Sequence, residues 1–159
     1  GYAIPGSVIS AGLLIGFDAI FGTSITIYGI FGLILCLGLR FMTPAYNYSS
    51  ASLANISKSS ENALSLIPSN PLKAFSSFYY PQMKSALFLG FMIVFIESVK
   101  EQAATLLLRP VGFDTLSTKI YNFTSEGEWE MAASPSLLLI FLSLVFVYLI
   151  NKNIDLNTK

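Results

Sequence analysis

Three charged side chains near the middle of this 159-residue chain, Glu97, Lys100 and Glu101, are the residues best placed to do chemistry. Separations of three and four residues put them on one face if the segment is helical. Two carboxylates on one face could act as an acid and a base. They could also line a translocation path or gate in a membrane, or form an ion-pair network that fixes helix packing. The spacing leaves the path and the network equally open.

Other reactive groups are scarce. The sequence has no His, which removes the usual general base and the commonest metal ligand. Cys36 is its one cysteine, so neither an internal disulfide nor a cysteine metal cluster is expected. No Gly-rich phosphate loop followed by Lys-Ser or Lys-Thr is present, so ATP should bind elsewhere. We predict no catalytic residue, metal ligand or cofactor on this chain, and a membrane-embedded enzyme using Glu97 and Glu101 is the less favoured alternative.

The composition is that of a membrane protein. Hydrophobic residues make up 53% of the chain and charged residues only 11%, whereas soluble domains carry about 25% charged residues. Nine basic residues balance nine acidic ones, which leaves no basic surface for nucleic acid. A membrane-spanning helix needs about 20 mostly apolar residues. The stretches that approach this length cover about 2–21, 25–41, 82–105 and 132–150. We therefore predict an all-α polytopic membrane protein with four transmembrane helices in the lipid bilayer.

Basic residues predict the orientation, because short loops rich in Lys and Arg stay on the cytoplasmic side. The connection at 42–81 has in it or beside it Arg40, Lys58, Lys73 and Lys84. The connection at 106–131 has more acidic than basic residues. We expect 42–81 and both ends of the chain to be cytoplasmic and 106–131 to be external. Because the chain enters an apolar stretch directly at Gly1, we also expect it to lack the N-terminal part of a longer protein.

The cytoplasmic connection is longer than two helices need, which indicates that it has a use of its own. It is predicted to begin with an exit turn over Thr43–Ser50. Within the segment Ala51–Leu66, Ser59 or Ser60 is expected to cap a short helix that has Glu61 and Asn62 in its first turn. Pro68 and Pro71 are expected to stop that helix, and the chain is expected to re-enter the membrane at Pro81.

Two further local patterns concern the external connection and the helix contacts. Asp114 is expected to cap a helix that reaches Phe123, and Ser125 with Glu128 is expected to form a capping box that starts the last helix. Small residues that would let helix backbones approach one another are Gly12, Gly16, Gly29, Gly32, Cys36 and Gly38.

The cytoplasmic connection resembles a known motif. The run Glu61-Asn62-Ala63-Leu64-Ser65-Leu66, followed by Phe75 and by Tyr80-Pro81, is similar to the EAA loop of binding-protein-dependent ABC importer permeases. That family has Glu-Ala-Ala, a Gly a few residues later, and Leu-Pro at the start of the next membrane helix. Asn62 replaces the middle Ala, and Ile67 stands where the Gly is expected.

A second segment narrows the resemblance to ferric-iron importer permeases. Residues Glu97–Leu116 are similar to that family's Glu-x-x-Lys-Glu-Leu-Pro-Ala-Thr-Leu-x-Leu-Arg-Pro-x-Gly-Phe-Asp-Thr-Leu. Gln102 and Ala103 stand in place of its Leu-Pro, which puts the bend of the backbone there in question. Residues Ser125–Ala133 resemble the family's approach to its last helix, and Gly1–Gly6 resembles the start of one of its membrane helices.

The resemblance implies the fold of a type I ABC importer permease half in the cell inner membrane, with an EAA coupling helix in its cytoplasmic loop. Its partners would be ABC ATPase subunits at that loop, an extracytoplasmic solute-binding protein, and the missing N-terminal part or second permease half. The residues implied in coupling to the ATPase are Glu61, Asn62, Ala63, Leu64 and Leu66. The alternatives are a helix that lies on lipid, and the same machinery carrying sulfate, molybdate, thiamine or a polyamine.

Overall fold

The computed structural model describes residues 2–22, 29–65 and 70–157, with the side chains of 61, 63–65 and 155–157 left aside. Throughout these ranges the backbone forms helices and the turns between them, and no strand occurs in them. Three of the helices are long and apolar enough to cross a membrane, and a fourth apolar helix is shorter. The predicted all-α, polytopic membrane fold is therefore confirmed.

The first two helices form a hairpin. Helix α1 covers Gly6–Phe21 and ends where Gly22, at a φ of 57°, donates its N–H to the carbonyl of Asp18. That left-handed conformation carries almost no steric cost for glycine, so Gly22 is a favourable end to the helix. Helix α2 covers Gly29–Ala54. The connection at 23–28, which includes the predicted start of the second span, lies outside the described residues.

Helix α2 is longer than the sequence pattern indicated, and the exit turn predicted over Thr43–Ser50 is wrong. The helix passes through Pro44 and continues to Ala54. A proline within a helix removes one N–H donor and favours a kink, but packing onto a neighbouring helix compensates here. A Cβ added to Gly90 would lie 3.2 Å from Cβ of Tyr48, so the two backbones are close beside the extra turns.

The connection predicted to be cytoplasmic holds a short separate helix. Helix α3 covers Lys58–Ser65 and is not continuous with the helical residues that precede it. Its cap is Ser57, whose Oγ accepts the N–H of Ser60 at 3.3 Å, rather than Ser59 or Ser60 as predicted. Hydroxyl oxygens at this position satisfy an N–H that has no partner within the helix.

A single long helix follows. Asn70 accepts the N–H of Leu72 through its side chain, and Pro71 begins helix α4, Pro71–Ala74. Proline is favourable in a first turn because its missing N–H needs no partner there. The preceding helix α3 has ended before Pro71, as predicted, and Pro68 lies outside the described residues. Helix α4 continues through a π-helical segment, Phe75–Tyr79, into α5, Tyr80–Lys100. We call the whole of 71–100 the α4–α5 rod.

The last part of the chain contains three more helices. Helix α6 covers Ala103–Leu108, α7 covers Leu116–Ser125 and α8 covers Trp129–Asn157. The predicted third span, 82–105, is therefore interrupted, since α5 ends at Lys100 and Glu101 has extended backbone.

The helix predicted after Asp114 is present, but its cap is different. Thr115 accepts the N–H of Thr118, and Thr118 in turn accepts the N–H of Thr115. The capping box predicted for Ser125 is also wrong, because Ser125 is the last residue of α7 and donates to the carbonyl of Asn122.

The interior lies where α1, α2 and α6 meet, and its fully buried members are Leu33, Cys36, Ala104 and Leu108. Helix α5 contacts α2 on one side and α8 on the other, and α7 packs on α8. Near the start of α5, Ser85 donates a hydrogen bond to the Asn153 side chain, which lies near the end of α8. Helices α5 and α8 therefore run antiparallel, with the start of one beside the end of the other.

Among the small residues singled out in the sequence, Gly29 and Gly32 of α2 lie against other helices, whereas Gly12, Gly16 and Gly38 have no such neighbour among the described residues. A Cβ added to Gly29 would lie 2.7 Å from the carbonyl oxygen of Leu108, and one on Gly32 would lie 3.3 Å from the Phe17 ring. A Cβ on Gly12, Gly16 or Gly38 would meet nothing within 4 Å. Close backbone approach therefore occurs where α2 meets α1 and α6.

We expect Gly29→Ala to destabilise the protein by about 1–3 kcal/mol, because the methyl group would collide with backbone that cannot rotate away. Gly38→Ala is the matched control on the same helix, and it should stabilise by about 0.5–1 kcal/mol since alanine is the better helix former. Thermal unfolding of the detergent-solubilised protein measures both. Equal melting temperatures for the two variants would contradict the α2–α6 contact.

Candidate functional site

Helix α3 carries the motif that resembles the EAA loop. It lies between the end of α2 and the start of the α4–α5 rod, so both long helices connect to it directly. The backbone of Glu61, Ala63 and Leu64 is helical, as predicted, and Asn62 is exposed to solvent. Leu66 lies outside the described residues. The arrangement presents a short helix between two long ones, and the coupling role of its side chains stays a prediction.

The charged residues at the end of α5 divide into two separate ion pairs. Lys100 Nζ donates to Glu97 Oε1 at 2.8 Å, and both side chains are substantially exposed, at 46% and 34%. Glu101 does not share their helical face, because the helix ends at Lys100 and Glu101 turns away from it. The single cluster predicted from the spacing is wrong, and its two carboxylates engage different cations. This removes the geometric basis for an acid–base pair.

Glu101 pairs with an arginine that the sequence analysis did not assign to the site. Arg40 of α2 approaches it with Nη2 to Oε2 at 3.4 Å, and the two side chains are only 21% and 9% exposed. The guanidinium also lies 5.7 Å from the centre of the Phe41 ring. The sequence offers one signal for this contact, which is a lone Arg within an apolar helix.

The polar atoms of Glu101 hold the break between α5 and α6. Its Oε1 accepts the N–H of Ala104 at 3.2 Å, and its backbone carbonyl accepts the hydroxyls of Thr105 and Ser117, each at 3.0 Å. A side chain that takes over a helical N–H offers the backbone an alternative to helix. The bend is therefore present although Gln102 and Ala103 replace the Leu-Pro of the family pattern.

The start of α1 rests on the same pair. A Cβ added to Gly6 would lie 2.5 Å from Glu101 Oε1 and 2.6 Å from an Arg40 nitrogen, so only glycine fits there without a shift. The carbonyl of Gly6 accepts the Ser10 hydroxyl at 2.6 Å, and Ser10 Oγ lies 3.5 Å from the sulfur of Cys36. Residues of α1, α2, the α5–α6 break and α7 thus meet at Glu101.

The segment beyond α6 is held by its own polar contacts. Arg109 forms an ion pair with Asp114 across the turn that contains Gly112, whose φ is 82°. Asp114 is therefore occupied by Arg109 instead of capping α7 as predicted. The capping box of Thr115 and Thr118 then starts α7 directly above the break.

No metal site is assembled in the part of the chain that the structure describes. Within 2–22, 29–65 and 70–157, no three His, Cys, Asp or Glu residues are grouped so that they could hold an ion. The acidic side chains described above are committed to basic partners, Glu97 to Lys100, Glu101 to Arg40 and Asp114 to Arg109. These residues form packing and charge contacts rather than a set of ligands.

Comparison with known proteins gives consistent matches. The chain is 27% identical over 151 residues to the Fe(3+)-transport system permease protein FbpB 2 of Haemophilus influenzae, which covers 95% of this chain and 29% of that protein. It is 29% identical over 124 residues to the ferric transport system permease protein FbpB of Actinobacillus pleuropneumoniae, covering 76% of this chain and 18% of that protein. No family model and no solved structure matches the chain.

These relatives are much longer than the chain, which spans less than a third of each. They are transport permeases by name, in agreement with the resemblance found in the motifs and with the long apolar helices. The predicted resemblance is therefore confirmed: over nearly its whole length, this chain is similar to the permease proteins of ferric-iron transport systems.

Proposed function

We propose that this chain is part of the membrane permease of an ATP-driven, binding-protein-dependent importer whose solute is ferric iron. The similarity to two ferric-transport permeases over 95% and 76% of the chain carries the proposal. ATP hydrolysis belongs to a separate subunit, and the solute arrives on an external binding protein. The chain itself contributes helices to the translocation path in the cell inner membrane.

Helix α3 is proposed as the contact with the ATPase. A short helix that enters a groove of a partner is a common recognition mode, and α3 is connected directly to α2 and to the α4–α5 rod. Glu61 and Asn62 would form its polar rim, and Ala63, Leu64 and Leu66 would be its anchors. A movement of the ATPase would then be passed to two long helices at once. The proposed orientation places this loop and both ends of the chain in the cytoplasm.

The exposed pair Glu97–Lys100 is proposed to line the path or its outer gate. The pair lies at the last turn of α5, and both side chains are partly open to solvent. Charged side chains near the end of a membrane-spanning helix favour a polar cavity over lipid. The absence of a ligand cluster within the described ranges fits a passage that ferric iron crosses without a tight binding site.

Reconstitution of the full-length protein tests the function. The complex, purified from native membranes with the subunits that accompany it, should contain an ATPase. In proteoliposomes it should take up radiolabelled ferric iron only when ATP and the solute-binding protein are both supplied. Omitting either component is the control. Uptake of sulfate, molybdate, thiamine or a polyamine in place of iron would support an ATP-driven importer but contradict ferric iron as its solute. A purified complex that contains no ATPase would contradict the importer itself.

A further inference from the structure

The ion pair between Arg40 and Glu101 lies deep along the helices that carry it. Arg40 is about 16 Å along α2 from Gly29 and about 21 Å from Ala54, at 1.5 Å per residue. Arg40 therefore lies well inside a helix that is long and apolar enough to cross a membrane, and not at either of its ends. Burying an ionisable group within a membrane-spanning helix costs free energy, and such groups persist where they are paired and used.

The ion pair between Arg40 and Glu101 is longer than a strong charge-assisted hydrogen bond. Charge-assisted pairs of arginine and carboxylate reach about 2.7–2.9 Å and are often bidentate, whereas Arg40 touches Glu101 through one nitrogen at 3.4 Å. Its Nε is buried and finds no acceptor among the residues that the structure describes. A buried pair of this kind offsets little of its own desolvation cost, so it is better suited to specifying an arrangement than to stabilising it.

Residues of three other helices, α1, α6 and α7, lie against Glu101. Glu101 receives hydrogen bonds from Ala104 and Thr105 of α6 and from Ser117 of α7, and Gly6 of α1 lies against both charged groups. Releasing Arg40 would therefore remove the charged contact between α2 and the α5–α6 break, and leave the apolar contacts of α6 with α1 and α2 to hold the two parts together.

We propose that Arg40 is a positioning residue for transport: with Glu101 it forms a latch that holds the α5–α6 break against the start of α1, and this latch opens and recloses in each transport cycle. The inference rests on the proposed function, since the cycle is that of an ATP-driven importer. Arg40 acts through Glu101 and is not required to touch the solute.

Cys36 provides a built-in reporter of the latch. It lies one helical turn before Arg40 on α2, its side chain is fully buried, and its sulfur is 3.5 Å from Ser10 Oγ on α1. Alkylation therefore requires α1 to separate from α2, and its rate reports how often that separation occurs. The rate at Cys36 can be read by mass spectrometry of its peptide within the intact complex.

The experiment measures alkylation of Cys36 by N-ethylmaleimide, with and without ATP turnover, beside the amount of ferric iron carried per ATP hydrolysed. In the wild type, turnover should raise the rate about tenfold, as expected when a rare open state becomes well populated. Arg40→Gln should show the fast rate without ATP and should lose most of the iron carried per ATP. Arg40→Lys keeps the charge and should restore both properties in part. Lys119→Gln, on an exposed face of α7, is the control and should behave as the wild type.

The outcomes separate the two proposals. A slow, nucleotide-independent rate in a wild type that imports iron would overturn the latch and leave the importer standing. The same conclusion would follow if Arg40→Gln kept the wild-type rate and coupling. A wild type with no ATP-driven uptake would overturn the proposed function instead. Should Arg40→Gln fail to assemble, the wild-type rates with and without ATP decide the question alone.

Discussion

Replacing Glu101 with alanine is expected to lower the free energy of unfolding by about 3–5 kcal/mol, because it strands a buried cation. The change would leave Arg40, only 21% exposed, without its carboxylate, and it would leave the N–H of Ala104 without an acceptor. Denaturant unfolding of the full-length protein in detergent, followed by circular dichroism, provides the measurement.

Glu97→Ala is the matched control, since it removes the same side chain from the neighbouring ion pair. Its partner Lys100 is 46% exposed, and exposed pairs contribute about 0–1 kcal/mol. Glu101→Gln should fall between the two, because the amide oxygen can still accept the N–H of Ala104. If Glu97→Ala and Glu101→Ala were equally destabilising, the buried and exposed pairs would not differ as the structure indicates.

Reversing the charge at Glu61 is expected to abolish coupling rather than folding. Glu61→Arg would place a cation on the rim of α3 that is proposed to enter the ATPase groove, and like charges at an interface cost several kcal/mol. Iron uptake should fall at least about tenfold, the factor that corresponds to about 1.4 kcal/mol. Stimulation of ATP hydrolysis by the loaded binding protein should disappear in proteoliposomes that contain normal amounts of the complex.

Glu126→Arg makes the same change of charge at an exposed position after α7, in the connection proposed to face outward. That variant should keep iron uptake and stimulated ATP hydrolysis at wild-type levels. Full retention of the ATPase and of stimulated hydrolysis by Glu61→Arg would remove α3 from the coupling contact.

Much of the fold follows from composition and apolar run length. The apolar helices and the helix after residue 114 are all present. The errors lie where a tertiary contact outweighs a local signal. Thr43–Ser50 reads as a turn, but Tyr48 packs against Gly90 and the helix continues past Pro44. Ser125 with Glu128 indicates a capping box for the last helix, but Ser125 is the last residue of α7 and donates to the carbonyl of Asn122.

The candidate site was predicted less completely, for a physical reason. Helical spacing places Glu97, Lys100 and Glu101 together only if the helix continues, and spacing carries no information about where a helix breaks. The break depends on Ser117 and Thr105, which donate to the carbonyl of Glu101, and on Arg40, which holds its carboxylate. Ser117 and Arg40 are distant in sequence from Glu101, so local spacing does not pair them with it; the lone Arg in an apolar helix indicates only that Arg40 needs some partner.

The α4–α5 rod has a mechanical consequence that follows from its length. Residues 71–100 form one uninterrupted helix of 30 residues. Such a helix is about 45 Å long, so a tilt of about 10° pivoted at one tip would carry the other tip through about 8 Å. That displacement is larger than the 3.4 Å separating Arg40 from Glu101. A small tilt of the rod about its end nearest α3 would thus move its other end far enough to separate the Arg40 and Glu101 side chains.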